Sequence, residues 1–206
     1  SQRPKKLFIC DINFRILANL LFELGKQMQI TVKPFENSFA AEIDGIDIQN
    51  GVNKQQFKII HEAFLKHKVL IFRNQPLDDE AHQKFGMLFG VLDGHINKST
   101  RHKALPSVQV FSNVKPNGET TGVHPEKGTQ VWHTDKSYTA TPSLTTILRS
   151  PAIAEVGGDT LFADMTRAYD KLSNNMKTGI DNLLAVHDWV RSREKSNERP
   201  ATPDEI

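Results

Sequence analysis

Short apolar runs, each closed by glycine, proline or asparagine, follow one another through this chain from Ile30 onward. Such runs confine the fold to short strands joined by turns, with a few helices between them. Ile30 to Ile48 holds two of them around Gly45. Lys68-Val69-Leu70-Ile71-Phe72-Arg73 is β-branched and apolar, and predicts a buried strand. Ser107 to Val114, Leu144 to Leu148 and Thr160 to Phe162 predict further strands. Pro116-Asn117-Gly118, Pro151 and Gly157-Gly158 supply turn signals between them. Helical spacing appears where Phe57, Ile60, Phe64 and Leu65 follow the N-cap Asn53, and again from Pro76 and Asp78 to Gly90. Met165 to Leu184 predicts two helical pieces broken near Ser173-Asn174-Asn175. The expected class is mainly β with helices (α+β), a sandwich or jelly roll decorated by helices. The strand count falls short of the eight that a complete jelly roll uses.

Residues 7 to 29 stand apart. Phe14, Leu17, Leu21 and Leu24 recur at spacings of three and four, which predicts an amphipathic helix. It is expected to form an N-terminal extension, residues 1–29, that packs on the domain or on a partner chain such as a second copy. Residues 30–206 are expected to form the N-terminal two-thirds of the main domain.

Composition narrows the function. The 206 residues carry a formal net charge of +2 with scattered basic side chains, so no nucleic-acid surface is expected. Cys10 is the single cysteine, which excludes a disulfide within the chain and points to a reducing, cytoplasmic setting. No apolar stretch approaches the ~20 residues of a membrane span, and no membrane partner is expected.

Chemistry concentrates at Trp132-His133-Thr134-Asp135. On extended backbone, residues i and i+2 share a face, so His133 and Asp135 can reach one metal ion. A neutral nitrogen and an anionic oxygen are two members of the 2-His-1-carboxylate set of non-haem Fe(II). On spacing alone, a surface strand pair is the commoner meaning of such a motif.

The surrounding blocks add specificity. Trp132-His133-Thr134-Asp135, Pro142 with Leu144 to Leu148, Gly157-Gly158-Asp159-Thr160-Leu161-Phe162 and Ala168-Tyr169-Asp170-Lys171-Leu172 follow in order. Upstream stand Glu42-Ile43-Asp44-Gly45-Ile46-Asp47, the Phe64 to Gln75 segment, and Phe85-Gly86 and Phe89-Gly90 with His95. Together they resemble the TauD/TfdA family of Fe(II)- and 2-oxoglutarate-dependent dioxygenases over about residues 30 to 190. The resemblance implies a double-stranded β-helix (jelly roll). It implies Fe(II) on His133 and Asp135, and 2-oxoglutarate and O2 as co-substrates. Thr160 would hydrogen-bond a 2-oxoglutarate carboxylate. His95 would meet the anionic group of a sulfonate or sulfate substrate, and Thr129 would face the substrate. The reaction implied is hydroxylation of a small anionic molecule (a sulfonate, an alkyl sulfate ester or an aryloxyalkanoate) with release of succinate and CO2.

The family's second histidine ligand and its basic partner for 2-oxoglutarate have no counterpart in the 206 residues. His124 and His187 do not fall at that position. The expectation is therefore a longer enzyme of which this is the N-terminal two-thirds, with the 206 residues alone inactive. A natural short protein, catalytically inactive and binding ligands or partners on the same scaffold, is the alternative. A zinc hydrolase using His133 and Asp135 is a third reading, and it leaves the upstream blocks unexplained.

Overall fold

The computed structural model describes residues 29–94, 96, 98–122, 131–152, 156–195 and 199–203. The predicted helix of residues 7 to 29 lies, but for Gln29, outside them. The described chain forms two compact units. One takes the residues up to Ile46 together with Lys54–Arg73, and the other takes Asp47–Asn53 and the residues from Asn74 on.

The first unit is a three-stranded sheet in the order β1-β2-β3 with one helix. Strands β1 (Thr31–Pro34) and β2 (Ala40–Asp44) pair antiparallel, Thr31 opposite Asp44 and Pro34 opposite Ala41. Strand β3 (Val69–Ile71) runs parallel to β2, Ala40 opposite Val69. Parallel neighbours need a crossover, and helix α1 (Lys54–His67) lies between β2 and β3 in the chain. Alternation along β2 buries Ala41 and Ile43 and leaves Glu42 and Asp44 to bond Arg73 and Lys33. Ile60, fully buried, and Ala63 are the buried residues of α1. Leu65, expected on that face, is 62% exposed, because it lies about 140° round the helix from Ile60. Lys68 adopts φ +62° and its N–H bonds Phe64 O at 2.7 Å, closing the helix and releasing the chain straight into β3. Gly45 has φ +75°, and a Cβ there would stand 2.3 Å from the carbonyl oxygen of Gln29, so only glycine fits.

In the second unit, helix α2 (Asp79–Met87) is capped by Asp78, whose carboxylate accepts from Ala81 N at 2.7 Å and from Gln49 Nε2 at 2.7 Å. The bond from Ala81 N and then that from Gln49 hold this carboxyl below its usual range. Ile48, Ala81, Phe85 and Val108 are buried in this unit. The chain predicted helical from Met165 is broken as expected. Helix α3 (Met165–Asp170) ends before Ser173, which caps α4 (Asn174–Ile180). Helix α5 (Trp189–Lys195) buries Arg193, whose guanidinium stacks 5.1 Å from the Trp189 ring.

The strands predicted at Ser107 to Val114, Leu144 to Leu148 and Thr160 to Phe162 do not form among the described residues, where the only sheet is β1-β2-β3. Isolated bridges, Arg101 with Gln109 and Val114 with Thr120, are all that appears near the first of them. Propensity makes a segment extended, but a strand needs a neighbour for its N–H and C=O groups. Leu144 to Leu148 meets the first condition: exposed and half-buried residues alternate along it. The architecture described is therefore α+β with a small open sheet. The jelly roll expected from the resemblance is not formed among these residues.

Candidate metal centre

His133 and Asp135 lie in the second unit, where irregular chain meets a tight turn. Residues 132–134 precede a turn over 135–138, closed by Thr139 N on Lys136 O at 3.0 Å. Lys136 takes φ +56° and forms an ion pair with Asp93. The two side chains meet as their spacing predicts, with Nε2 of His133 3.3 Å from Oδ1 of Asp135. No strand is required, since an extended dipeptide step suffices.

The hydrogen bonds assign the donors. Nδ1 of His133 lies 2.8 Å from the carbonyl oxygen of Val131, which can only accept. Nδ1 therefore carries the proton, and in the neutral ring Nε2 presents a lone pair to a carboxylate oxygen. Two acceptors at this distance need a cation between them, or a second proton on the imidazole. The other oxygen, Oδ2, accepts from Thr146 Oγ1 at 2.5 Å. Two donors bound cis to one ion at ~2.1 Å stand ~3 Å apart. The pair, an imidazole nitrogen with its other nitrogen tied to a carbonyl and one free carboxylate oxygen, fits a divalent transition metal as two of its ligands.

Tyr138, three residues on, has its hydroxyl buried without a hydrogen-bond partner among the described residues. Burial, and after it the charge of Asp135, raises its pKa. Its ring packs on Trp189 with centroids 4.9 Å apart, and His187 Nδ1 lies 2.8 Å from Ser137 Oγ. Helix α5 and the residues before it thus lie against the turn that carries Asp135.

Other predicted residues are placed differently. Thr160 is exposed on irregular chain after Gly157 and Gly158, and the hydrogen bonds of the His133–Asp135 pair go to Val131 and Thr146 instead. His95 and Thr129 lie outside the described residues, as does His124. Asp93, two residues before His95, is nevertheless tied to the residue after Asp135 by the Lys136 ion pair. His187 reaches Ser137 and does not join the pair. Among the described residues no three His, Cys, Asp or Glu side chains come together to hold a metal, and no helix is long and apolar enough to cross a membrane. Thr146 and Lys136 were not legible as site residues. The first hides in an apolar run and the second in a surface-like Asp-Lys-Ser.

Residues 31–206 match the family described as Taurine catabolism dioxygenase TauD, TfdA family. The chain is 27% identical to the alpha-ketoglutarate-dependent 2,4-dichlorophenoxyacetate dioxygenase of Cupriavidus pinatubonensis, over 81% of this chain and 61% of that protein. It is 31% identical to the alkylsulfatase of Acinetobacter baylyi, over 77% of this chain and 47% of the relative. A crystal structure of a taurine dioxygenase from Burkholderia xenovorans superposes with a TM-score of 0.61 at 29% identity, covering 74% of this chain and 51% of that one. The chain thus spans about half to three-fifths of the length of these relatives.

Proposed function

The chain belongs to the TauD/TfdA family, and from that premise we propose that it works as an Fe(II)- and 2-oxoglutarate-dependent dioxygenase. Its substrate is a small anionic organic molecule: a sulfonate, an alkyl sulfate ester or an aryloxyalkanoate. The observation that carries the reading is the 3.3 Å approach of His133 Nε2 to Asp135 Oδ1 with the opposite ring nitrogen bonded to Val131. His133 and Asp135 would hold the iron, with a further ligand from outside the described residues. Bound together, iron and 2-oxoglutarate supply the oxidation by O2, with succinate and CO2 as by-products.

The chain's own residues do the remaining work. The Val131 carbonyl holds the His133 ring in the tautomer that frees Nε2. The Thr160 hydroxyl is assigned to a carboxylate of 2-oxoglutarate. His95 is assigned to the anionic group of the substrate. Thr129 is assigned a substrate-facing place. The chain's likeness to the 2,4-dichlorophenoxyacetate dioxygenase and to the alkylsulfatase supports both the reaction and the anionic class. It also favours an enzyme over an inactive binding module.

The test is substrate-dependent succinate release and O2 uptake by the full-length protein with Fe(II), across a panel of sulfonates, sulfate esters and aryloxyalkanoates. One member should give succinate, O2 consumption and hydroxylated product in equal amounts. Product formed without O2 consumption, or no succinate with any compound, overturns the reading.

A further inference from the structure

We propose that Thr146 is a positioning residue that holds one oxygen of Asp135 and so fixes the other, Oδ1, toward a metal ion shared with His133. The inference rests on the reading of His133 and Asp135 as iron ligands. The Thr146 hydroxyl has one proton, and it goes to Oδ2 of Asp135 at 2.5 Å. Oδ1, the oxygen facing His133 Nε2, is left for the ion. A carboxylate with both oxygens free can turn about its bond to Cβ; one with Oδ2 held by a donor presents Oδ1 in a fixed direction.

Thr146 is held firmly enough for this task. It sits on extended chain whose alternate residues lie against helix α2. Ile147 O lies 3.1 Å from His82 Nε2, and the Arg149 guanidinium bonds Leu77 O and the Asp79 carboxylate. A Cβ at Gly86 of α2 would stand 3.9 Å from Ile147 Cδ1, in ordinary contact. Residues 147 and 149 anchor the backbone directly after Thr146, which occupies the alternate, exposed side.

The experiment compares the full-length wild type with Thr146→Val, Thr146→Ser and His133→Ala. Mn(II), as a stand-in for Fe(II), is titrated into metal-free protein and followed by electron paramagnetic resonance, with thermal unfolding of each metal-free protein alongside. Thr146→Val keeps the shape and removes the donor. It should weaken Mn(II) binding roughly 10- to 100-fold, the usual effect of losing a group that orients a ligand. Its unfolding temperature should stay at the wild-type value, and Thr146→Ser should recover most of the affinity. Wild-type affinity in Thr146→Val, with affinity lost in His133→Ala, overturns the role of Thr146 and leaves the ligand reading standing. Loss in Thr146→Ser equal to that in Thr146→Val also overturns it, since the methyl group and not the hydroxyl would matter. Mn(II) binding untouched by His133→Ala overturns the ligand reading and this inference together.

Discussion

Asp135 divides its two oxygens between a hydroxyl donor and an imidazole, and the imidazole is fixed in turn by a backbone carbonyl. The approach of His133 to Asp135 was legible, because residues i and i+2 on extended backbone share a face. The part made by Thr146 was not. A threonine within Leu144-Thr145-Thr146-Ile147-Leu148 has the sequence signature of a strand, and nothing local says which hydroxyl meets a carboxylate eleven residues back. At this scale His95 yields a prediction. If it binds the anionic group of the substrate, His95→Ala should raise KM while substrate-free turnover of 2-oxoglutarate persists. Loss of one hydrogen bond to a charged group costs ~1.5–3 kcal/mol, roughly 10- to 150-fold. Steady-state kinetics on the substrate panel measures it, and an unchanged KM returns His95 to an ordinary loop residue.

Helix α1 and strand β3 were legible because period and turn chemistry mark them within one short stretch, although β3, expected to be buried, is only half-buried. Ile60, fully buried, is the sharpest consequence. Ile60→Ala should destabilise the protein by about 2–5 kcal/mol, whereas Leu65→Ala, at an exposed site, should stay within about 0.5 kcal/mol. Equilibrium urea unfolding compares the two, and equal losses would contradict the packing of α1. The segment 144–148 shows the other side. Its alternation was readable, but whether a neighbouring strand exists to pair with it depends on residues far away in sequence. That segment also couples to pH through His82. Burial holds the His82 pKa below its usual value; the hydrogen bond to Ile147 O opposes this and the charge of Arg149 adds to it. The unfolded chain therefore takes up a proton first as pH falls. Stability is full above the ordinary histidine pKa of about 6.5 and declines as pH drops from there toward the folded value. Chemical-denaturation midpoints between pH 8 and pH 5 should show this decline, and His82→Asn should flatten it. Unaltered pH dependence in that variant would place the titration elsewhere.

At the scale of the molecule, the family match over residues 31–206 agrees with motif blocks spread from Glu42 to Leu172, so family membership was visible in order and spacing together. The jelly roll was not recoverable among the described residues. The segments predicted as its strands leave large apolar side chains at the surface, Leu144, Leu148, Leu161 and Phe162 among them. The central claim is that His133 and Asp135 hold one ferrous ion, and anaerobic equilibrium dialysis of the full-length protein against Fe(II) tests it most directly. The wild type should retain one iron per chain, and His133→Ala and Asp135→Ala should each lose it. Their metal-free unfolding transitions should match the wild type, because a half-exposed His–Asp pair contributes at most about 1 kcal/mol to stability. Iron retained at wild-type stoichiometry in either variant would contradict the account.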